Sequence, residues 1–374
     1  MGLRARWRGS DRRSRGNTRE VRPVTSLAAA RRDDGTRPSG LAESNGRRFA
    51  LLIVVIVALA LVCLTSIAVG SRNIPFPTVL EALFSYAGSD DHAIIMTLRV
   101  PRTLLGLSVG AALGLSGALI QALTRNPLAD PGILGVNAGA TFAVSLGVGI
   151  FGIATIQSYI WFAFAGALGA TVLVYAIGSV GRGAATPARL TLSGIAIGAV
   201  LTGISSGFAI LDPATFDRMR FWAAGSLVTP RLDNLTVSLP FMLAGGLLAL
   251  LVARPLNAIA LGDDLAASLG TSILRTRAIV VVAVTLLAGS ATAAAGPITF
   301  VGLMISHVAR WIVGPDQRWI ILFTLVLAPI LLLCADIVGR VVMPPGELQV
   351  GIVTAFIGAP VLIILARRGG ASGL

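Results

Sequence analysis

Few residues in this chain could carry covalent or metal chemistry, and they are scattered. The 374 residues include two histidines, His92 and His307, and two cysteines, Cys63 and Cys334, which lie in apolar runs and predict neither a disulfide framework nor a metal cluster. All 30 basic residues are arginine, and without lysine the chain can form neither an ATPase phosphate loop nor a Schiff base. We therefore predict no catalytic residue, metal site or stored cofactor. Any ATP that drives its function must be hydrolysed by another polypeptide.

Charged residues at two places suit binding rather than catalysis. Arg99, Arg102 and Arg340 flank apolar runs. Guanidinium groups pair well with carboxylates, so these residues suit a surface for an acidic partner or an anionic cargo, although lipid anchoring would use the same residues. In the segment LGDDLAASLG, Asp263 and Asp264 stand in the first turn of a short predicted helix, where the helix dipole favours acids. Such a helix suits docking of another protein, or lies passively at the membrane interface.

The elements that must position these residues are predicted to be membrane-spanning helices. The chain is 55% hydrophobic and 13% charged, with a mean hydropathy of +0.84, which leaves too few charges to coat a soluble protein. Ten apolar runs predict an all-α polytopic membrane protein, with spans near residues 49–69, 103–122, 134–153, 158–180, 189–211, 235–253, 278–296, 298–313, 319–339 and 348–366. The step at Gly296-Pro297 could be a turn between two helices or a kink within one.

Both chain ends are predicted to be cytoplasmic. An even number of spans places both ends on one side of the membrane. The leader 1–48 has 13 arginines and five acids, and Arg367 and Arg368 follow the last span. Positive charge beside a span favours the cytoplasmic side. The leader has few aromatics and no periodicity, so we expect contact with membrane lipid and no binding to nucleic acid. A ten-helix transmembrane domain is predicted at 49–368 and a short tail at 369–374. Loops 123–133, 181–188, 254–277 and 314–318 then face the cytoplasm, whereas 70–102, 212–234 and 340–347 face outward.

Small and weakly polar residues form stripes at helical spacing on two of these spans. The stripe on the fifth span comprises Thr191, Gly194, Gly198, Thr202 and Ser205, and the stripe on the tenth comprises Gly351, Thr354 and Gly358. Such faces let helix backbones approach closely in lipid. They can equally line a path that must not grip a bulky cargo, and both readings stay open on spacing alone.

The segment TRNPLADPGILGVNAGA is predicted to be a rigid corner between the second and third spans. Pro127 and Pro131 end one helix and set the entry of the next. Asn126 and Asp130 can cap the loose backbone groups there, and Gly139 continues the close-packing pattern.

Four ordered segments resemble the FecCD-type permeases, the membrane subunits of bacterial ABC importers for iron-siderophores, haem and cobalamin. They are RVPRTLLGLSVGAALGLSGALIQALTRNPLADPGILGVNAGA, LGDDLAASLG, GPITFVGLMISHVARWIVGPDQRW and ADIVGRVVMPPGELQVGIVTAFIGAPVLIILARR. The resemblance runs from about residue 50 to 368. It implies a BtuC-like permease fold of ten helices, with helices two to five and seven to ten as two inverted four-helix repeats.

The resemblance also implies roles for particular positions. Arg99, Arg102 and Arg340 match residues that take carboxylates of a solute-binding lipoprotein, and the fifth and tenth helices of two permeases enclose the pathway. The segment matching Thr186, Pro187 and Ala188 is an inner gate, although Pro187 and Ala188 replace residues that are polar in some relatives. The coupling loop that inserts into the ATPase corresponds to Gly262, Asp263, Asp264, Ala266, Leu269 and Gly270.

The expected function is a permease subunit of an ATP-driven importer for a ferric siderophore. TPARLTLSGIA and RFWAAGSL look most like the enterobactin branch, which suggests a catecholate cargo, while a cobalamin or haem importer of the same fold stays open. The implied partners are two ATPase subunits, a second permease (identical or related) and the lipoprotein. An ion-driven transporter normally keeps acids at mid-membrane, whereas Asp336 lies near the outer end of the ninth span. A membrane-embedded enzyme would need a carboxylate cluster or paired histidines.

Overall fold

The described part of the chain is helical. The computed structural model describes residues 40–367 except 43, 71–73, 154–155, 181–186, 214–216, 218–219, 221, 229–232 and 344–345. These residues belong to one compact unit, residues 38–374, and contain no β-strand. The helices are α1 (Asn45–Ala68), α2 (Phe76–Phe84), α3 (Asp90–Ile94), α4 (Val100–Thr124), α5 (Val136–Phe151), α6 (Ile156–Gly178), α7 (Pro187–Leu211), α8 (Asp233–Ala260), α9 (Asp263–Ser268), α10 (Ile273–Ala295), α11 (Val301–Val313), α12 (Gln317–Val342) and α13 (Val350–Arg367).

The helices correspond to the ten predicted spans. Seven stretches are long and apolar enough to cross a membrane: α1, α4 with the turns before it, α6, α7, α8, α10 and α12. The other three predicted spans are the shorter apolar helices α5, α11 and α13. Apolar runs locate these helices well because lipid contact demands a continuous apolar segment.

The segment 278–313 forms two helices, which excludes a single kinked helix. α10 ends at Ala295 and α11 begins at Val301. Gly296 and Phe300 both have positive φ, 75° and 69°, so the chain turns sharply between the two helices.

Two loop predictions need correction. The segment 70–102, predicted as a loop, contains α2, α3 and a π-helical turn at Ile95–Arg99 that continues into α4. Ser89 caps α3 by accepting a hydrogen bond from the backbone N–H of His92, and that N-cap pattern was visible in the sequence. The predicted loop at 254–277 is too long at both ends, because α8 passes through Pro255 and ends at Ala260, and α10 already begins at Ile273.

α4 lies at the centre of the bundle and packs closely on α12 and α11. A Cβ on Gly110 would lie 2.6 Å from Cα of Pro329 in α12, and a Cβ on Gly117 would lie 2.4 Å from Cα of Gly302 in α11. Both contacts are backbone to backbone, so neither neighbour can yield by changing a rotamer. α4 is therefore closely packed against α11 and α12 through direct backbone contact.

The predicted corner between α4 and α5 is confirmed. Oδ1 of Asn126 accepts from Leu128 N at 3.0 Å, and Oδ1 of Asp130 accepts from Gly132 N at 2.8 Å at the start of a 3-10 turn, Pro131–Leu134. Burial raises the pKa of Asp130, while the backbone N–H groups of Gly132 and Phe300 oppose that rise. Asp130 thus joins this corner to the turn before α11.

A short segment before α1, residues 40–42, binds the end of α11. Leu41 N donates to Trp311 O at 3.1 Å, and Ala42 N donates to Ile312 O at 2.9 Å. The last carbonyls of a helix have no partner within it, and this segment satisfies two of them.

Candidate functional sites at the two ends of the bundle

The first site is an ion-pair cluster where α4 begins and α12 ends, called here the arginine end. Arg102 donates from Nη2 to Asp336 Oδ1 at 2.7 Å and from Nε to both carboxylate oxygens at 3.0 and 3.1 Å. Its Nη1 donates to Glu347 at 2.7 Å, and Arg340 Nη2 lies 3.1 Å from Asp336 Oδ2. Asp336 is 1% exposed and thus shared by two guanidinium groups away from solvent.

Arg99 and Arg340 also donate to the C-terminal end of α1. Nη1 of Arg99 donates to the carbonyls of Ile67 and Ala68 at 2.8 and 2.6 Å. Arg340 donates from Nη1 to the carbonyl of Ser66 and from Nη2 to its hydroxyl, at 2.8 and 2.9 Å. Carbonyls at a helix C-terminus carry partial negative charge, so cations are favoured there.

The three predicted docking arginines therefore face inward in this structure. Arg99 is 7% and Arg340 3% exposed, and the chain's own carbonyls and carboxylates take the bonds predicted for a partner. The i,i+4 spacing of Asp336 and Arg340 signalled their pairing, whereas nothing local signalled Glu347. Docking of a partner at these arginines stays a prediction.

The second site is the loop around α9, at the opposite end of the bundle. Gly262 and Gly270, with φ of 117° and 80°, lie on either side of the short helix. Asp263 pairs with Arg125 at the end of α4, and its Oδ2 accepts from Arg277 of α10 at 2.8 Å. The next residue, Asp264, is exposed.

The apolar face of α9 is the surface formed by Leu265 and by Leu269, which directly follows the helix, beside the exposed Asp264. Leu265 and Leu269 are 48% and 62% exposed, whereas Ala266 is fully buried against the bundle. Two exposed leucines one turn apart give this end of the bundle an apolar surface that another protein can cover.

The stripe on α7 is buried at Gly194 and Ser205 and exposed at Thr202. A Cβ on Gly194 would lie 1.6 Å from the carbonyl oxygen of Ile133, so that glycine is required for packing. Thr191 and Gly198 are half-buried, and Thr202 is exposed. Ser205 is buried, and its hydroxyl donates to the carbonyl of Leu201.

The stripe on α13 is mostly buried within this chain. A Cβ on Gly351 would lie 2.3 Å from the carbonyl oxygen of Ala224, and one on Gly358 would lie 2.4 Å from the Phe300 side chain. Thr354 is buried and donates to the carbonyl of Gly351. A cavity of about 680 Å³ opens beside α13, lined by residues that include Ala224, Pro297, Gly351, Ala355 and Phe356. Only Gly351 among the predicted path residues of α13 lines this cavity.

The predicted inner gate is described in part. Thr186 lies outside the described residues. Pro187 begins α7, where proline is favoured because a first helical residue needs no N–H partner, and Ala188 is exposed. Within the described ranges, no group of three or more His, Cys, Asp or Glu side chains could hold a metal ion.

These features define a multi-pass helical membrane protein. Apolar side chains cover its long helices, and the buried Asp336 is paired with Arg102 and Arg340, as expected for an acid in lipid. Residues 57–368 match the FecCD transport family, and the chain belongs to that family.

Relatives in the same family are transport permeases. The chain is 52% identical over 318 residues to the ferric enterobactin transport system permease protein FepD of Escherichia coli (strain K12), covering 85% of this chain and 94% of that protein. It is 42% identical to the iron(3+)-hydroxamate import system permease protein FhuB of Bacillus subtilis (strain 168), with 86% and 85% covered. A solved structure described as an inward-facing metal-chelate type ABC transporter superposes with a TM-score of 0.75 at 25% identity, covering 86% of this chain and 99% of that one.

Proposed function

We propose that this chain is the permease subunit of an ATP-driven importer that carries a ferric siderophore, of the catecholate type, across the cytoplasmic membrane. The observation that carries the proposal is the 52% identity to the ferric enterobactin permease along most of both chains. ATP is hydrolysed by separate subunits, because the chain has no lysine for a phosphate loop. Both termini and α9 lie on the cytoplasmic side, and the arginine end faces outward.

The cargo assignment is tested by uptake of radiolabelled iron into a strain that lacks this chain. We expect the restored chain to support uptake of ferric enterobactin, and to support uptake of a hydroxamate complex, cobalamin or haem much less. A strain that recovers cobalamin or haem uptake instead would overturn the cargo assignment and leave the family intact.

The outer partner in this proposal is a solute-binding lipoprotein that docks at the arginine end. Arg102 lies close to the surface, because its partner Glu347 retains 31% side-chain exposure. A cavity of about 390 Å³ beside this pair is lined in part by Trp222, Asn234 and Gln349. A carboxylate of the lipoprotein could replace Glu347 on Arg102 at this opening, which reconciles docking with the internal pairing.

A second permease subunit is proposed to cover α7 and the cavity beside α13. α7 is the least buried long helix among the candidate spans, with 6% of its apolar window buried. Leu192, Ile195 and Val200 project from it with 60–71% exposure. In this arrangement the pathway runs between α7 and α13 of the two subunits, past Thr202 and Gly351.

The ATPase is proposed to bind the apolar face of α9. The double substitution Leu265→Asp, Leu269→Asp should abolish recovery of the ATPase with the affinity-tagged permease and abolish uptake, because it places charges on the covered surface. Membrane insertion should be unchanged, since both side chains are exposed in the permease alone.

A matched control is Leu41→Asp, which adds a charge at another exposed leucine on the same side of the bundle. That variant should retain the ATPase. Normal ATPase recovery with the α9 double variant would show that α9 is not the docking site.

A further inference from the structure

The inference concerns Arg125, which ends α4 in an unfavourable backbone conformation. Its φ of 50° lies in the left-handed region, where side chains other than glycine and asparagine are disfavoured. The neighbouring Asn126 N donates to Gln121 O at 3.2 Å, an arrangement in which glycine is the usual residue at the left-handed position. A residue kept in such a conformation points to a use for its side chain.

That side chain reaches across to the α9 loop. Nη2 of Arg125 donates to Oδ1 of Asp263, while Arg277 binds the other carboxylate oxygen. Asp263 is thereby joined to both α4 and α10, whereas Asp264 and the two leucines of α9 face outward. The two adjacent acids thus have different roles. Asp263 attaches the loop to its own bundle, and Asp264 is available to a partner.

The Arg125–Asp263 pair adds little to folding stability. Its side chains are 36% and 41% exposed, and ion pairs at such exposure are screened by water and salt. What the pair does fix is the position of α9 relative to the end of α4.

α4 connects this attachment to the opposite end of the bundle without interruption. It runs as one helix of 25 residues from Val100 to Thr124, and Arg102 in its first turn pairs with Asp336 and Glu347. At Gly110 and Gly117, in its middle, it is in direct backbone contact with Pro329 of α12 and Gly302 of α11. A displacement applied at Arg125 is therefore carried to Arg102 by a rigid, closely packed element.

We propose that Arg125 is a positioning residue: it fastens the ATPase-docking loop to α4, so that movement of α9 is transmitted along α4 to the ion-pair cluster at the arginine end. The proposal rests on the proposed function, because it takes the ATPase as the protein that moves α9. It goes further by naming the link and the helix that carry the movement.

The test is Arg125→Gly, which removes the side chain and its ion pair but keeps a residue that suits the backbone conformation. Glycine suits the left-handed conformation, so the melting temperature of the purified protein should be unchanged or higher. The ATPase should still be recovered with the tagged permease, because the exposed face of α9 is intact. Uptake of ferric enterobactin should fall by about tenfold, within the range typical of coupling between distant sites.

Two further variants sharpen the test. Arg125→Lys keeps a positive charge and should recover part of the uptake. Asp263→Asn breaks the same link from its other side and also weakens the contact with Arg277, so it should lower uptake at least as much as Arg125→Gly does.

The outcomes are distinct. Normal uptake by Arg125→Gly would overturn the proposal, and so would loss of the ATPase with this variant, since Arg125 would then serve docking itself. Failure of the proposed function would appear in the wild-type protein, as absence of the ATPase or of ferric enterobactin uptake.

Discussion

Asp336→Asn is expected to lower the melting temperature of the detergent-purified protein sharply and to reduce its folded yield. The carboxylate is almost fully buried and shared by Arg102 and Arg340. Its loss leaves the buried guanidinium of Arg340 without a counter-charge and leaves Arg102 with Glu347 alone. Removing one partner of a buried pair costs about 3–5 kcal/mol. Thermal unfolding and size-exclusion chromatography would measure the effect.

Glu347→Gln is the matched control at the same cluster. Glu347 is partly exposed, and Arg102 keeps Asp336 when it is replaced, so the loss of stability should be small. Equal melting temperatures for the two variants would contradict the claim that Asp336 holds this end together. A stable Asp336→Asn protein without transport would instead support a proton-handling role, as in an ion-driven transporter.

Gly117→Ala is expected to destabilise the bundle by separating α4 from α11. The added Cβ would lie 2.4 Å from Cα of Gly302 and 2.5 Å from its carbonyl atoms, so a helix backbone must move. Overpacking of this kind costs about 1–3 kcal/mol. The melting temperature and the yield of monodisperse protein would both fall.

Gly203→Ala on α7 provides the control. A Cβ at Gly203 would meet nothing within 4 Å inside this chain, so the substitution should leave the stability of the isolated subunit unchanged. If Gly117→Ala and Gly203→Ala melted at the same temperature, close packing of α4 would not be the source of stability that the structure indicates.

Glycine spacing on α4 and α7 shows how far the sequence could predict the fold. Spacing of four residues marks Gly106 and Gly110 on α4 and equally marks Gly203 and Gly207 on α7. The first two approach Leu333 and Pro329 closely, whereas the second two face open space within the chain. Spacing reports that a helix face is small. It cannot report what lies opposite, because that depends on the packing of distant segments.

The same limit applies to the arginine end. Ten helices were predictable because hydropathy is a local property of the chain. The pairing of Arg102 with Asp336 joins residues 234 apart, and without it Arg102 was predicted to face a partner. At the α9 loop the glycine bounds were predictable from local backbone preference, but the attachment of Asp263 to Arg125 was not.

The segment at residues 40–42 bears on how the protein can be shortened. The match to the family begins at residue 57, inside α1, and a chain trimmed to that point would lose this segment. It would then lack both hydrogen bonds to the end of α11, together with Arg48, whose guanidinium lies 5.8 Å from the Trp319 ring. Domain boundaries drawn from homology would therefore make a poor guide for truncation, and an expression tag placed at residue 39 or earlier would preserve the contact.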